Sequence, residues 1–132
     1  MVSALSLPLA VLTGMLAYVL ISMLWYAPFF FGERWRVLMG LKSAQMRTVH
    51  WLGVLGVALV LSSALAFLMV FTGRSAPLEG LSLGIVAWFG FVASTSLLGV
   101  IFERRPLDLY LINQGCLLVA MAAMGLVIAI VL

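Results

Sequence analysis

Charged side chains are scarce in this chain. Of its 132 residues, seven are basic and four are acidic, so 8% carry a charge, whereas soluble domains carry about 25%. With 66% hydrophobic residues, this composition excludes a soluble fold. The few basic residues form no stripe that could follow a phosphate backbone, which excludes nucleic acid as a partner. The lipid bilayer is therefore the first partner that we expect.

Cysteine and histidine are nearly absent. Cys116 is the only cysteine and His50 is the only histidine. One cysteine cannot form an internal disulfide, and these two residues cannot supply a metal site rich in cysteine or histidine. Nucleophilic catalysis needs a serine or cysteine beside a base, and no such motif surrounds His50. We therefore expect no metal, no cofactor and no enzymatic activity.

Four long apolar runs fill most of the chain, and each approaches the roughly 20 residues that span the hydrocarbon core of a bilayer. They cover residues 5–27, 51–72, 80–102 and 107–131. Every charged residue lies at or between the ends of these runs. The sequence therefore predicts an all-α integral membrane protein, a single domain over residues 1–132 that forms a four-transmembrane-helix bundle.

The basic residues are distributed unequally between the two sides of this bundle. Only Arg74 lies between the second and third runs, whereas the first and third connections, which share a side, hold Arg34, Arg36, Lys42, Arg47, Arg104 and Arg105. Basic connections stay in the cytoplasm. We therefore expect a multi-pass protein of the bacterial inner (plasma) membrane with both termini outside.

The first connection has a pattern of its own. Pro28 cannot continue the first helix, and Trp35, Leu38 and Met39 follow the i, i+3, i+4 spacing of an amphipathic helix. This pattern predicts a short interfacial helix in the first cytoplasmic connection, with its tryptophan at headgroup depth. An aromatic belt at the same depth would include Trp25, Tyr26 and Trp51.

Several polar residues fall at one depth when each span is measured at about 1.5 Å per residue. This layer, in the cytoplasmic half of the bilayer, consists of Ser22, Ser94, Thr95, Ser96, Asn113 and Gln114. Hydroxyl and amide groups inside a membrane form hydrogen bonds between helices. The layer is therefore either a structural hydrogen-bond network or a small polar pocket that opens to the cytoplasm.

Asn113 and Gln114 are adjacent on the fourth span, so their side chains point about 100° apart. We expect Asn113 to face the bundle and bond to the hydroxyl of Ser22 or Thr95, because its face continues with small residues. Gln114 would then lie nearer a subunit contact or the headgroups.

A cytoplasmic charge cluster is predicted directly beneath the polar layer. Its members are Arg34, Glu103, Arg105 and Asp108, and we expect Glu103 to pair with Arg105 or Arg34. Two aromatic residues, Tyr18 and Trp88, lie instead near the membrane midplane. Their polar atoms have no water there, so each needs a protein partner or contributes to a ligand cage.

Small residues recur at four-residue spacing in two of the spans. They are Ala58, Ser62 and Ala66 in the second span and Gly80 and Gly84 in the third. In lipid, such positions allow helix backbones to approach closely. These faces could pack within one bundle or between protomers.

Two sets of motifs give the chain a resemblance to a known family. The first set comprises Trp25-Tyr26-Ala27-Pro28, Phe31-Gly32 and Trp35, followed by Gly40-Leu41; the second comprises Phe102-Glu103-Arg104-Arg105-Pro106 and Leu111-Ile112-Asn113-Gln114-Gly115. Over nearly its whole length the chain resembles a bacterial four-helix membrane family catalogued as domain of unknown function 1761. The resemblance implies a four-span protein with no established activity.

These observations favour a small non-enzymatic inner-membrane protein that acts as an oligomer or as an accessory subunit of a larger membrane complex. The alternative is a small transporter or binding protein with a polar pocket open to the cytoplasm. Proton-coupled export usually needs an ionisable group within the membrane. All four acidic residues lie at span ends, which weakens the transporter alternative.

Overall fold

The structure is a computed structural model that describes residues 4–40 and 48–132, and within these ranges it contains helices and no strand. The helices are α1 (Ser6–Trp25), α2 (Gly32–Met39), α3 (Thr48–Thr72), α4 (Pro77–Ala87), a π-helical segment (Trp88–Ala93), α5 (Ser94–Phe102) and α6 (Leu107–Val131). The predicted all-α class is confirmed. Lys42 and Arg47, which contribute to the predicted topology, lie outside the described residues.

Four helices are long and apolar enough to cross a membrane: Ser6–Trp25, His50–Thr72, Pro77–Phe102 and Leu107–Val131. The four predicted spans are thereby confirmed, although the third begins earlier than residue 80. Pro77 suits the first turn of a helix, where its missing N–H is not needed. The Glu79 carboxylate also accepts a hydrogen bond from the Ala76 backbone N–H at 3.4 Å, which caps the helix.

α6 is the central helix, and it contacts α1, α3 and α4. Buried residues such as Cys116, Ala120, Met124 and Ile128 recur along it every four residues. Met124 and Ile128 pack with Leu65 of α3 and other apolar side chains in one core cluster. The outward faces of the other spans carry large exposed apolar side chains, as surfaces that contact lipid require.

Glycine sets the packing of α4 on α6. A β-carbon at Gly84 would overlap the carbonyl oxygen of Met121, and one at Gly80 would overlap that of Gly125. The two backbones are therefore in direct contact. We call this end of the bundle, marked by Gly80, Gly84 and Gly125, the glycine end.

The small residues of α3 are also used inside the bundle. Ala58, Ser62 and Ala66 are all buried. The Ser62 hydroxyl donates a hydrogen bond to the Val11 carbonyl oxygen of α1 at 2.7 Å. A β-carbon at Gly14 of α1 would overlap this hydroxyl. Both small-residue faces therefore pack within one protomer.

α2 lies at the other end of the bundle, which we call the basic end and which also holds the 103–106 connection. This helix ends at Met39, and Gly40 caps it with a φ of 71°, in the left-handed region that glycine tolerates best. A hydrogen bond from Arg36 lowers the pKa of the Glu33 carboxyl on the exposed face. The ring of Trp35 contacts that of Tyr26, with 5.7 Å between centroids. The short helix predicted in this connection is thus present.

Candidate functional site

The third span separates from α6 at the π-helical segment. α4 packs along α6, whereas α5 contacts it at few positions. A π-helical segment changes the direction and rotational phase of the helix that contains it, and such segments are frequent at functional sites. Between α5 and α6, the basic end contains a cavity of about 500 Å³. We call it the α5–α6 pocket.

Six predicted site residues line this pocket: Thr95, Ser96, Glu103, Arg105, Asn113 and Gln114. Leu98, Phe102 and Leu109 supply apolar parts of the wall. Ser22, Ser94, Arg34 and Asp108 are not among the lining residues, and neither are Tyr18 and Trp88. The structure therefore gathers four members of the predicted polar layer with two of the predicted charges.

Gln114 is the most informative of these residues. The residue is 7% exposed, and its Oε1 has no hydrogen-bond partner in the part of the chain that the structure describes. A buried acceptor left without a donor costs about 1–3 kcal/mol. Our expectation that Gln114 lies toward the headgroups or a subunit contact is wrong. Because α6 is the central helix, neighbouring residues on it can both face protein.

Asn113 is bonded differently from our expectation. Its Oδ1 accepts a hydrogen bond from the Tyr26 hydroxyl at 2.7 Å. The predicted donors, Ser22 and Thr95, are wrong because their hydroxyls have other neighbours. The Ser22 oxygen lies 4.0 Å from the Cys116 sulfur, and Thr95 bonds within its own helix.

Two hydroxyls of α5 are directed at carbonyl oxygens of the π-helical segment. Ser94 donates to Gly90 at 2.6 Å, and Thr95 donates to Phe91. The Tyr110 hydroxyl of α6, which lines the pocket, donates to the carbonyl oxygen of Ala93 in the third span at 2.7 Å. Tyr110 was not among the predicted site residues.

A signal for Tyr110 was present in the sequence. Tyr110, Asn113 and Gln114 follow i, i+3, i+4 spacing, so they share one face of α6. Tyr110 is therefore the residue on the face of Asn113 and Gln114 whose side chain also ends in a hydrogen-bonding group.

Trp25 and Tyr26 attach the end of α1 to α6. The Trp25 indole N–H donates to the Ile112 carbonyl oxygen at 2.9 Å. A β-carbon at Gly115 would lie 3.0 Å from the Trp25 ring, so this glycine admits the indole. These two residues, predicted as members of an aromatic belt, thus also hold helices together beside the pocket.

The charge cluster divides into two ion pairs. Glu103 pairs with Arg105 at 2.8 Å, so of its two predicted partners the structure selects Arg105. Asp108 pairs with Arg34, which joins α2 to the start of α6. All four side chains are more than half exposed, and such pairs contribute about 0–1 kcal/mol each.

The two midplane aromatics lie outside the pocket, against the apolar core. Tyr18 lies beside Ser22. The Nε1 of Trp88 is buried without a partner among the described residues, so the protein partner expected for it is absent there. Trp88 packs against the apolar core cluster, and helix carbonyls are already bonded within their helices.

Among the residues that the structure describes, titratable side chains do not gather into a metal site. Across residues 4–40 and 48–132, no three His, Cys, Asp or Glu side chains are placed to hold an ion. The polar groups in the pocket are hydroxyls, carboxamides and one ion pair. Such groups bind through hydrogen bonds and charge.

The helices and their composition define a multi-pass membrane protein. A family model described as protein of unknown function (DUF1761) matches residues 9–129, so the chain belongs to this family. No curated protein and no solved structure matches the chain. The two sets of motifs that carry the resemblance meet in space, where Trp25 and Tyr26 bond to Ile112 and Asn113.

Proposed function

We propose that this protein binds a small polar molecule in the α5–α6 pocket without transforming it. The observation that carries the proposal is that Gln114 lines the pocket while its buried Oε1 has no donor among the described residues. Rotation of the Gln114 carboxamide toward the pocket would let a ligand that donates a hydrogen bond satisfy this oxygen. The cavity volume of about 500 Å³ lies within the range of about 300–1,000 Å³ that is typical of small-molecule sites.

The packing favours this function over an oligomeric or accessory role. That role was inferred from small-residue faces that could join protomers. Gly80 and Gly84 contact α6, and Ser62 contacts α1, so these faces are occupied within one protomer. The pocket, by contrast, has an unmet hydrogen-bonding requirement.

The charges favour binding over proton-coupled transport or catalysis. Each of the four acidic residues forms an ion pair with an arginine at a helix end. Proton-coupled transport usually needs an ionisable group within the membrane. At the glycine end, α4 and α6 are in backbone contact, and the pocket lies at the basic end, beside the 103–106 connection.

We further propose that the protein lies in the bacterial plasma membrane with both termini outside, so that the pocket opens to the cytoplasm. The excess of basic residues at the basic end supports this orientation. In a Cys116→Ala background, a cysteine at Ser75 should react with an impermeant thiol reagent added outside intact cells. A cysteine at the exposed Val37 should react only after permeabilisation, and the opposite pattern would reverse the topology.

The binding proposal is tested by native mass spectrometry of protein extracted from membranes in mild detergent. We expect wild type to carry a small molecule in stoichiometric amount and Gln114→Leu to lose it. Cys116→Ala is the matched control, because Cys116 is buried on the same helix but does not line the pocket. Wild type without any bound molecule, or equal occupancy in Gln114→Leu, would contradict the proposal.

A further inference from the structure

We infer that a second site, on the outer side of α4 at the glycine end, binds a phospholipid with an ethanolamine headgroup. The site is a cavity of about 340 Å³ that shares no lining residue with the α5–α6 pocket, so the inference is independent of the function proposed above. Six residues line it: Arg74, Leu78, Glu79, Ser82, Leu83 and Val86. We call it the Arg74 groove.

The groove lies on the side of α4 that faces away from α6. Helix positions advance about 100° per residue, so Ser82 lies about 160–200° around the helix axis from Gly80 and Gly84, which contact α6. Leu78 and Val86, one turn to either side of Ser82, are 73% and 65% exposed. In a membrane this face of the third span therefore meets lipid.

The polarity of the groove changes with depth. Arg74 precedes the third span and Glu79 lies in its first turn, so both charges lie at headgroup depth. The other lining residues extend along the span for about 12 Å, at about 1.5 Å per residue, as far as Val86. They are apolar except Ser82, whose hydroxyl donates to the Leu78 carbonyl oxygen at 2.8 Å. Charge above and hydrocarbon below match the two parts of a phospholipid.

Arg74 is placed to bind the phosphate. It follows Gly73, whose φ is 70°, and its backbone N–H donates to the Met69 carbonyl oxygen at 3.0 Å. Its Nη1 lies 3.7 Å from the Glu79 Oε1, which is beyond hydrogen-bond distance. The guanidinium donates no hydrogen bond to any residue that the structure describes. Its N–H groups can therefore bind a phosphate, which arginine often does through two parallel bonds.

Glu79 is placed to accept an ammonium group. Its Oε2 accepts the bond from the Ala76 backbone N–H, whereas its Oε1 faces Arg74 at 3.7 Å. A primary ammonium has three N–H donors, whereas the quaternary ammonium of choline has none. An anionic headgroup would bring its phosphate to Arg74 and supply no cation to the adjacent carboxylate. The ethanolamine headgroup carries both a phosphate and a primary ammonium, so it matches both side chains.

The test is a competition among three phospholipids that have the same acyl chains and differ in headgroup: ethanolamine, choline and glycerol. Delipidated protein in mild detergent receives an equimolar mixture, and native mass spectrometry measures each one-to-one complex. We expect the ethanolamine complex to exceed each of the others about threefold to fivefold, which is the factor for one partly exposed charge contact.

Charge variants assign this preference to the groove. Arg74→Gln should weaken binding of the ethanolamine lipid about threefold to fivefold. Glu79→Gln should remove the preference for ethanolamine over choline, while its amide oxygen can still cap α4. Glu33→Gln is the matched control, because it removes the same charge from an exposed ion pair outside the groove, and it should leave the preference unchanged.

A filled groove tests the hydrocarbon part of the site. Ser82→Phe places a ring at an exposed position in the middle of the groove and should lower binding of the ethanolamine lipid at least as much as Arg74→Gln. Val60→Phe, at a position 67% exposed on α3 and outside the groove, should have no effect.

Three results would overturn the inference. One is equal retention of the three lipids by wild type. Another is a preference for ethanolamine that survives both Arg74→Gln and Glu79→Gln, because the lipid would then bind elsewhere. The third is a protein dimer that forms without this lipid and that Ser82→Phe disrupts, because a second copy of the chain would then occupy the groove.

Discussion

The two ends of the hairpin formed by the third and fourth spans differ sharply. At the glycine end, Gly80 and Gly84 bring the backbone of α4 against that of α6. At the basic end, the same two spans leave a cavity of about 500 Å³. Leucine gains little by leaving acyl chains for another helix, so spans pack tightly only where small residues allow it. The position of the pocket follows from this rule together with the π-helical segment.

The two ends also differ in whether their side chains include a buried hydrogen-bonding group without a partner. Glycine has no side chain, so the contacts of Gly80, Gly84 and Gly125 at the glycine end involve no side-chain hydrogen-bonding group. At the basic end, the Tyr26 and Tyr110 hydroxyls donate to acceptors, whereas the Oε1 of Gln114, itself an acceptor, has no donor among the described residues. Between these two spans, one end is therefore built for packing, and the other retains a capacity to bind.

The largest effect is expected from closing the space that glycine provides. Gly84→Ala places a β-carbon against the Met121 carbonyl oxygen, so it should lower the free energy of unfolding by about 1–3 kcal/mol. Gly56→Ala is the matched control, because a β-carbon there meets nothing within 4 Å. It should be neutral or stabilising by up to about 1 kcal/mol. Equal melting temperatures for the two variants would show that backbone contact does not define the glycine end.

A smaller effect is expected from the bond between α1 and α6. Tyr26→Phe removes the donor to Asn113 Oδ1 and should lower the free energy of unfolding by about 0.5–2 kcal/mol. A double-mutant cycle with Asn113→Leu, followed by thermal melts in detergent, should give a coupling energy of about 0.6 kcal/mol or more. If the effects of the two substitutions are additive, this hydrogen bond does not stabilise the basic end.

The smallest effect is expected from the ion pair between α2 and α6. Asp108→Asn removes the partner of Arg34, and because both side chains are more than half exposed, the free energy of unfolding should fall by at most about 1 kcal/mol. High salt should erase the difference from wild type, since an exposed pair is screened. A loss well above this range that persists in high salt would mean that the pair is shielded and supports the basic end.

Much of this fold follows from the sequence because apolar length alone identifies a membrane span. The four runs predicted the four spans, and the charges beside Pro106 predicted a pairing for Glu103 that the structure contains. Thr95, Ser96, Asn113 and Gln114 were predicted at one depth, and all four line the pocket. Depth depends on the rise per residue, which a π-helical segment changes little.

Rotation about the helix axis could not be predicted in the same way. A regular helix turns about 100° per residue, and the π-helical segment at Trp88–Ala93 shifts the phase of every residue after it. The orientation of Gln114 and the partner of Asn113 depend on how α5, α1 and α6 face one another. Neither composition nor spacing in one sequence contains that information.

The central claim is that Gln114 is kept at a cost to stability because it binds a ligand. The direct measurement is the free energy of unfolding of Gln114→Leu and of wild type, both stripped of bound molecules. The account predicts that Gln114→Leu is more stable, by up to about 1–3 kcal/mol, because leucine needs no donor. If ligand-free Gln114→Leu is instead less stable by a similar amount, Gln114 has a structural role and the claim is contradicted.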